Sequence, residues 1–410
     1  STAGLVLNFA AIPLMTIVQV AGMVALAAAA AAPWAVDPFA AAAHLAARGL
    51  VESARLVDLV PQSVVRLAPP PIAVAAAYYA GVTAAFWLAV AESRRTAPSA
   101  PVRRARHAAL TVAVLAGVWI LLTPQTRLAR TRQLEVTFFD VGQGASTLVR
   151  LPSGHSLLVD AGGAAGSRFD IGRRVVAPAI RAAGAARLTY VVATHGDADH
   201  VGGAAAIVRD FRPVEVWEGV AVPPEPLMRQ LRAASSGARG AWRTVRRGDV
   251  LAFGDVDVLI RHPTAPDWER QRVRNDASVV LEIRKGDVSV VLTGDIESAA
   301  EADLACLLEP AGVRVLQAPH HGSATSSTWP LIRAASPGAV IISAGRGNRY
   351  GHPHAAVLGR YAESGAQVFR TDVDGAITLR TDGRVAEIRT FTGRTAVLRP
   401  EARPACVPPA

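Results

Sequence analysis

The sequence predicts an α/β domain preceded by transmembrane helices, and three observations carry that prediction. Long apolar runs fill the first third of the chain, and after Leu134 the apolar period changes to short strands and helices broken by Gly and Pro. One of those strands ends in a cluster of imidazoles and carboxylates. The 410 residues suffice for two or three domains, and composition places them in different solvents. Residues 1–132 hold 11 Arg, no Lys and 4 acidic residues, which is seven of the ten net positive charges. The basic balance therefore reflects arginines flanking apolar helices and gives no independent sign of a nucleic-acid-binding face. Two cysteines, Cys306 and Cys406, provide neither a disulfide framework nor a thiolate metal motif.

Residues 4–32 are apolar except for Asn8, Pro13, Thr16 and Gln19, longer than the roughly 20 residues needed to cross a bilayer core. A secretory signal would open on a basic segment, which Ser1 to Leu5 lacks; with no initiator Met, the opening reads as the tail of a longer membrane protein. Residues 37–66 read as an amphipathic helix, lying on a membrane surface or against a neighbouring helix, and Pro69 to Pro71 stop it. Residues 72–91 and 108–122 are two further spans. Between them Arg94, Arg95, Arg103, Arg104 and Arg106 form a basic loop, which the positive-inside rule places in the cytoplasm. The domain that follows is then extracytoplasmic, although Arg127, Arg130 and Arg132 on the far side oppose that orientation. The domain plan is a membrane segment over 1–132, a soluble domain over 133–394 and a flexible Pro-rich tail over 395–410.

In the soluble domain LEVTFF, STLVRL and HSLLVD read as strands joined by glycine turns. Leu188 to Ala193 is a buried strand, and His195, Asp197, Asp199 and His200 follow it within six residues. Gly196, Gly202 and Gly203 permit the tight turn that lets those donors converge on one or two divalent cations; a solvated acidic loop is the bland alternative. Helices near 202–210 and 225–233 alternate with strands at 214–218, 250 and 256–260. Asn275 and Asp276 open the strand VVLEI and either approach the site or make a turn. The strand of VSVVLTGDIE ends at Asp295, a helix N-cap when read alone and a bridging carboxylate when read beside the cluster. VRVLQAP delivers His320, His321 and Ser323, and two adjacent histidines in an extended segment point to opposite sides, so one ligates. After IISAG, the loop from Arg346 to His354 offers Arg346, Asn348 and His352 for a phosphate, or is ordinary solvated loop. AITLR and VAEIRTF close the domain.

THGDADHVGG resembles the metallo-β-lactamase-fold signature HxHxDH, with Asp197 where most members carry a second histidine. That resemblance implies an αββα sandwich. It extends through Asp140, Gln143 and Asp160 at strand ends, with Asp160 also readable as a turn cap, and it aligns His321 with the last metal histidine of the superfamily. The extra carboxylate shifts the expected metal from Zn2+ toward Mn2+ or Mg2+. DVGQGAS, VDAGG, THGDADHVGG, LTGDIE, APHHGS and NRYGHPH, in that order behind membrane helices, resemble the ComEC family of DNA-internalisation competence proteins. LNFAAIPL is similar to the end of that family's channel domain, whose remaining helices and small β-barrel are not in this chain.

The resemblance implies a membrane protein of DNA uptake, working with other competence-machinery proteins, whose two-metal domain cuts phosphodiester bonds of the strand that is not transported. His195, Asp197 and Asp295 are expected to hold one cation, and Asp199, His200, Asp295 and His321 the other. Asp199 orients the attacking hydroxide, His320 or His352 assists the leaving oxygen, and Asn275, Ser323, Arg346 and Asn348 contact substrate. Two other readings stay open: a transport or scaffold protein that binds DNA without cutting it, and a metallohydrolase of small molecules.

Overall fold

A computed structural model describes residues 2–59, 70–94, 100–122, 133–164, 166–167, 169–220, 226–264 and 275–400. The chain divides into two compact units, residues 1–124 and 125–410.

In the first unit α1 (Thr2–Ala31) and α2 (Val36–Leu59) reverse direction through the short turn Pro33–Ala35, and α3 (Ile72–Ser93) packs with α4 (Ala100–Leu122). Among the described residues, three stretches are long and apolar enough to cross a membrane, Ala10–Ala31, Ile72–Ser93 and Ala100–Leu122. Small residues let the second pair approach closely: a methyl at Gly81 would lie 2.8 Å from the Ala109 carbonyl oxygen, with Ala85, Ala113 and Ala116 buried. The predicted amphipathic helix packs on α1, where Ala46 is buried and Gly49 faces Leu14. The expected basic loop is shorter than its sequence suggests. Pro101 sits in the first turn of α4 and no proline follows, so Arg103, Arg104 and Arg106 ride on the helix, and Arg106 pairs with Glu92 at 2.7 Å. Residues 60–66 of the amphipathic segment and Arg95, Arg127, Arg130 and Arg132 lie outside the described residues.

The second unit opens with β1 (Leu134–Phe138), β2 (Thr147–Arg150), β3 (Ser156–Val159), α5 (Ala177–Ala182), β4 (Tyr190–Ala193), α6 (Ala198–Val201), α7 (Ala204–Phe211), β5 (Glu215–Glu218), α8 (Pro226–Ala238) and β6 (Ala241–Thr244). It continues with β7 (Val250–Ala252), β8 (Val256–His262), β9 (Val280–Lys285), β10 (Val288–Leu292), α9 (Ser298–Ala305), β11 (Val313–Gln317), α10 (Trp329–Ala335), β12 (Ala339–Ile342), α11 (Ala355–Glu363), β13 (Gln367–Arg370) and α12 (Thr371–Asp374). It closes with β14 (Ile377–Thr381), β15 (Ala386–Thr390) and β16 (Thr395–Leu398). One sheet has the order β16-β15-β14-β1-β2-β3-β4-β5-β6, the other β13-β12-β11-β10-β9-β8-β7.

Period-two alternation makes this an αββα sandwich. Along β3, Leu157 and Val159 face the apolar layer shared with the second sheet, which includes Val290 and Ile341, while Leu158 faces the helices. Val191 and Val216 join Ile180, Ile207 and Leu231 in an outer layer under α5, α7 and α8. Val291, Leu316 and Val340 do the same under α9, α10 and α11. Thr395–Leu398 is a strand and not the start of a tail: it pairs antiparallel with β15 and buries Leu398 in the central layer. Residues 401–410 lie outside the described residues.

Topology fixes where chemistry can occur. Strands β1, β3 and β4 run the same way, as do β10, β11 and β12, so the loops leaving each group gather at one edge of its sheet.

Candidate metal centre

Loops leaving β3, β4, β10, β11 and β12 bring Asp160, His195, Asp197, Asp199, His200, Asp295, His321 and the Ser343 carbonyl together. Asp295 stands at the middle. Its Oδ1 lies 3.1 Å from His200 Nε2, and its Oδ2 lies 3.4 Å from His321 Nε2, 3.8 Å from His320 Nε2 and 4.0 Å from His195 Nε2. Asp197 Oδ2 is 3.7 Å from His195 Nε2, and Asp199 Oδ2 is 3.5 Å from His321 Nε2. Among the described residues, two overlapping triads have the spacing of a cation site, His195–His200–Asp295 and Asp199–His200–His321.

Hydrogen bonds on the far side of each ring fix which nitrogen faces inward. The Ser343 carbonyl can only accept, so His321 Nδ1 donates to it at 2.8 Å. Asp160 Oδ2 takes the proton of His200 Nδ1 at 2.6 Å. Thr194 gives its hydroxyl proton to Asp160, and Ser278 gives its own to the Asn275 carbonyl, so both oxygens accept from His195 Nδ1, at 3.0 and 3.3 Å. Each neutral ring therefore presents a bare Nε2 lone pair to the same space. His200 Nε2 and His321 Nε2 are 3.1 Å apart, and His195 Nε2 is buried with no hydrogen-bond partner among the described residues. Facing lone pairs repel unless a cation or a proton sits between them, so the donor set fits divalent metal ions.

Charge repeats that conclusion. Burial opposes ionisation of Asp199 and Asp295, but the His321 and His200 imidazoles outweigh it, holding Asp199 down at about 2 and Asp295 well below the usual carboxylate range. Burial likewise opposes the imidazolium forms, yet Asp295 with Asp160 lifts His200 well above its ordinary value, and Asp295 with Asp199 lifts His321 to about 9. The His195 imidazole beside it lowers Asp197 despite its partial burial. A metal-free centre thus holds protons on His200 and His321 at pH 7, and a metal must expel them. Calorimetry in buffers of different ionisation enthalpy is expected to register roughly two protons released on filling, with apparent affinity rising up to pH 9. Uptake without proton release would contradict this donor set. Both imidazole values are raised, so their contribution to the metal-free fold is complete below the unfolded value and is lost as pH rises through the folded one, about 9 for His321.

Residues 139–346, half of the chain, match the family described as the metallo-beta-lactamase superfamily. The chain belongs to the metallo-β-lactamase superfamily. The family described as competence protein matches residues 1–92. ComE operon protein 3 of Bacillus subtilis (strain 168) is 32% identical over 63% of this chain and 34% of its own length. Competence protein ComA of Neisseria gonorrhoeae is 32% identical over 59% of this chain and 31% of its own. The ComEC-family resemblance of the motifs is therefore borne out, and the chain spans about a third of the length of these curated relatives. The metallo-β-lactamase fold protein YhfI from Bacillus subtilis aligns over 60% of this chain and 100% of its own at 12% identity and a TM-score of 0.40. Membership in the superfamily implies a metal-dependent hydrolase fold using divalent ions.

Other expected site residues of this metallo-β-lactamase-fold domain fall on both sides of the line. The segment holding the two adjacent histidines is not extended: His320 and His321 have φ of 48° and 54°, and both rings turn toward Asp295. His320 is the more open of the two, with Nδ1 3.1 Å from Glu297 and Nε2 3.4 Å from the Asn275 amide, which places Asn275 at the rim. His352 stands behind His320 at a ring distance of 5.7 Å, and burial lowers its pKa. Asn348 has no capacity for a phosphate. Its amide donates to the carbonyls of Gly345 and His352, and its oxygen accepts from the N–H groups of Tyr350 and His352. The Ser323 hydroxyl pairs with Thr325, and Arg346 Nε donates to the Asp372 carbonyl. Asp140 is exposed and accepts from Gly142 N–H in its own turn, while the Gln143 side chain accepts from Gly345 N–H.

Asp160 is more than a turn cap, because it sets the tautomer of His200. Asp160→Asn offers Nδ1 an N–H donor in place of an acceptor, turning the His200 proton toward the metals. Metal affinity is expected to fall roughly 10- to 100-fold in a titration, while the metal-free melting curve keeps its cooperativity. Unaltered affinity would show that the 2.6 Å bond does not orient the ring.

Proposed function

We propose that this chain serves DNA uptake in natural transformation, and that its soluble domain hydrolyses phosphodiester bonds of the incoming strand that is not transported. The observation that carries the reading is the convergence of three bare Nε2 atoms on Asp295, in a chain whose first 92 residues match a competence-protein family. The domain lies outside the cytoplasmic membrane, a reading supported by the cluster of Arg94, Arg103, Arg104 and Arg106 where α3 ends and α4 begins. DNA, the membrane, channel helices of the kind the ComEC-family resemblance implies, and other competence proteins are its partners.

His195, Asp197 and Asp295 would hold one cation and Asp199, His200 and His321 the other, with Asp295 reaching both. Bound there, divalent ions supply Lewis-acid polarisation of a phosphoryl oxygen and lower the pKa of a coordinated water. The carboxylate-rich set favours Mn2+, with Mg2+ and Zn2+ as competitors. Asp199 stays ionised at all working pH values and orients the attacking water by accepting its hydrogen bond. His320, on the open side, would assist the leaving oxygen, its ring positioned by the Asn275 amide at Nε2 and by Glu297 at Nδ1. His352 supports His320 from behind.

Purified full-length chain in detergent, loaded in turn with Mn2+, Mg2+ and Zn2+, is expected to cleave labelled DNA and bis(p-nitrophenyl) phosphate, fastest with Mn2+. A chelator should stop both. Folded, metal-loaded protein that leaves both substrates intact would refute hydrolysis and favour binding without cleavage.

A further inference from the structure

A groove of about 580 Å³ starts at the metal centre, where Gly196 and Asp197 form its near wall, and runs beside α7 past Phe169 and Leu227 to Arg209 and Gln230. A second groove of about 500 Å³ shares Arg209 and Gln230 with the first and carries the path on to Arg212. The two are one furrow, between α7 and α8. From Gly202 to Arg212 the chain advances about 15 Å at the helical rise per residue, which matches about four phosphates at the spacing of a stacked strand.

The chemistry of the furrow is that of a polyanion track. Arg209 and Arg212 are exposed, and among the described residues neither has a carboxylate partner. The nearby acid Asp210 lies 3.9 Å from Arg181 instead. Among the described residues two carboxylates line the furrow: Asp197 at the metal centre, and Asp170, which caps the Arg173 N–H. Phe169 stands 51% exposed on the rim with the Arg174 guanidinium 5.3 Å from its ring centre, a flat apolar face beside a cation. Exposed aromatic faces and unpaired arginines along one groove are what sequence-independent single-strand binding requires.

We propose that this furrow binds a single strand of nucleic acid leading from the metal centre, with Arg209 and Arg212 on successive phosphates and Phe169 stacking on a base. The assignment rests on the phosphodiesterase reading and extends it. It gives the centre a direction: one end of the strand sits at Asp197, and the other leaves over α7. Short substrates reach the metals without touching Arg212, whereas longer ones are gripped.

The test uses full-length chain in detergent with Mn2+, a phosphorothioate-linked hexathymidylate that keeps its charges and resists cleavage, and the corresponding dinucleotide. Arg209→Gln with Arg212→Gln is expected to raise the hexamer Kd roughly tenfold near 0.1 M salt and to reduce its log–log salt slope by about 1.4, two contacts at about 0.7 each. The dinucleotide Kd and the hydrolysis of bis(p-nitrophenyl) phosphate should stay at the parent values, which also reports that the fold is intact. Phe169→Ala should weaken the hexamer alone, with its salt slope unchanged. An unchanged hexamer Kd and slope in the double variant would overturn the proposal, as would an equal loss for the dinucleotide. If the parent protein hydrolyses no diester yet the hexamer effects appear, the furrow stands and the hydrolytic reading falls.

Discussion

Asp295→Asn is expected to empty the metal centre and stop hydrolysis in one step while leaving the fold in place. Among the described residues its carboxylate alone approaches all three bare Nε2 atoms, at 3.1, 3.4 and 4.0 Å. The substitution keeps the volume, and the Asp295 backbone N–H remains held by the Ser278 hydroxyl at 3.1 Å. What changes is charge and polarity, since an amide brings no negative charge and can donate its N–H to an Nε2 lone pair that a metal ion would otherwise take. Losing several kcal/mol of transition-state stabilisation corresponds to a rate loss on the order of 10³ or more. Metal analysis of the desalted protein should show the loss, alongside a near-parent circular dichroism spectrum. The proton count on metal addition should also fall, because His200 and His321 owe much of their raised pKa to Asp295. Full metal content with parent activity would sink the assignment of Asp295.

Much of this centre was legible in the chain because its donors crowd onto short segments. His195 to His200 sit on one turn, so local spacing alone brings them close, and Asp295 and His321 follow strands whose apolar runs announce where they end. What the sequence hides is how the far side of each ring is held. His321 leans on a backbone carbonyl, and every residue has one, so Ser343 carries no signal. Asp160 was visible as a carboxylate at a strand end, yet only the parallel pairing of β3 with β4 puts it under His200. Asn348 misleads for the opposite reason. Its side chain looks available in a loop of Arg and His, and the loop itself takes all four of its hydrogen bonds. The extended reading of His320 and His321 failed because Gly294 turns there with φ of 54° and its carbonyl bonds His320 N–H, favouring a left-handed pair of residues over a strand. Helix α4 gained eight residues because charged residues continue a helix as readily as apolar ones when no breaker intervenes.

Gly144→Ala is expected to disable the centre without removing any donor atom. Gly144 has φ of 115°, and a methyl there would lie 2.1 Å from the Asp199 carbonyl oxygen, less than any carbon and oxygen can share. The same carbonyl is bonded by Ala145 N–H at 3.1 Å, so the loop after β1 clamps α6 directly. On the opposite side, the Gly163 methyl position lies 2.1 Å from the Ala198 carbonyl oxygen, so the loop after β3 presses on α6 as well. With both sides closed, a side chain at 144 has to push Asp199 and His200 away from His321 and Asp295. Destabilisation of about 2–4 kcal/mol is expected from strain and contact together, with a metal affinity at least roughly tenfold weaker. Gly142→Ala separates the two causes. It has φ of 76° but nothing within 4 Å of the added methyl, so it should lose only about 1–2 kcal/mol and keep its metals. Equal losses of metal in the two variants would mean that loop strain, and not the approach of Gly144 to Asp199, governs the geometry of the centre.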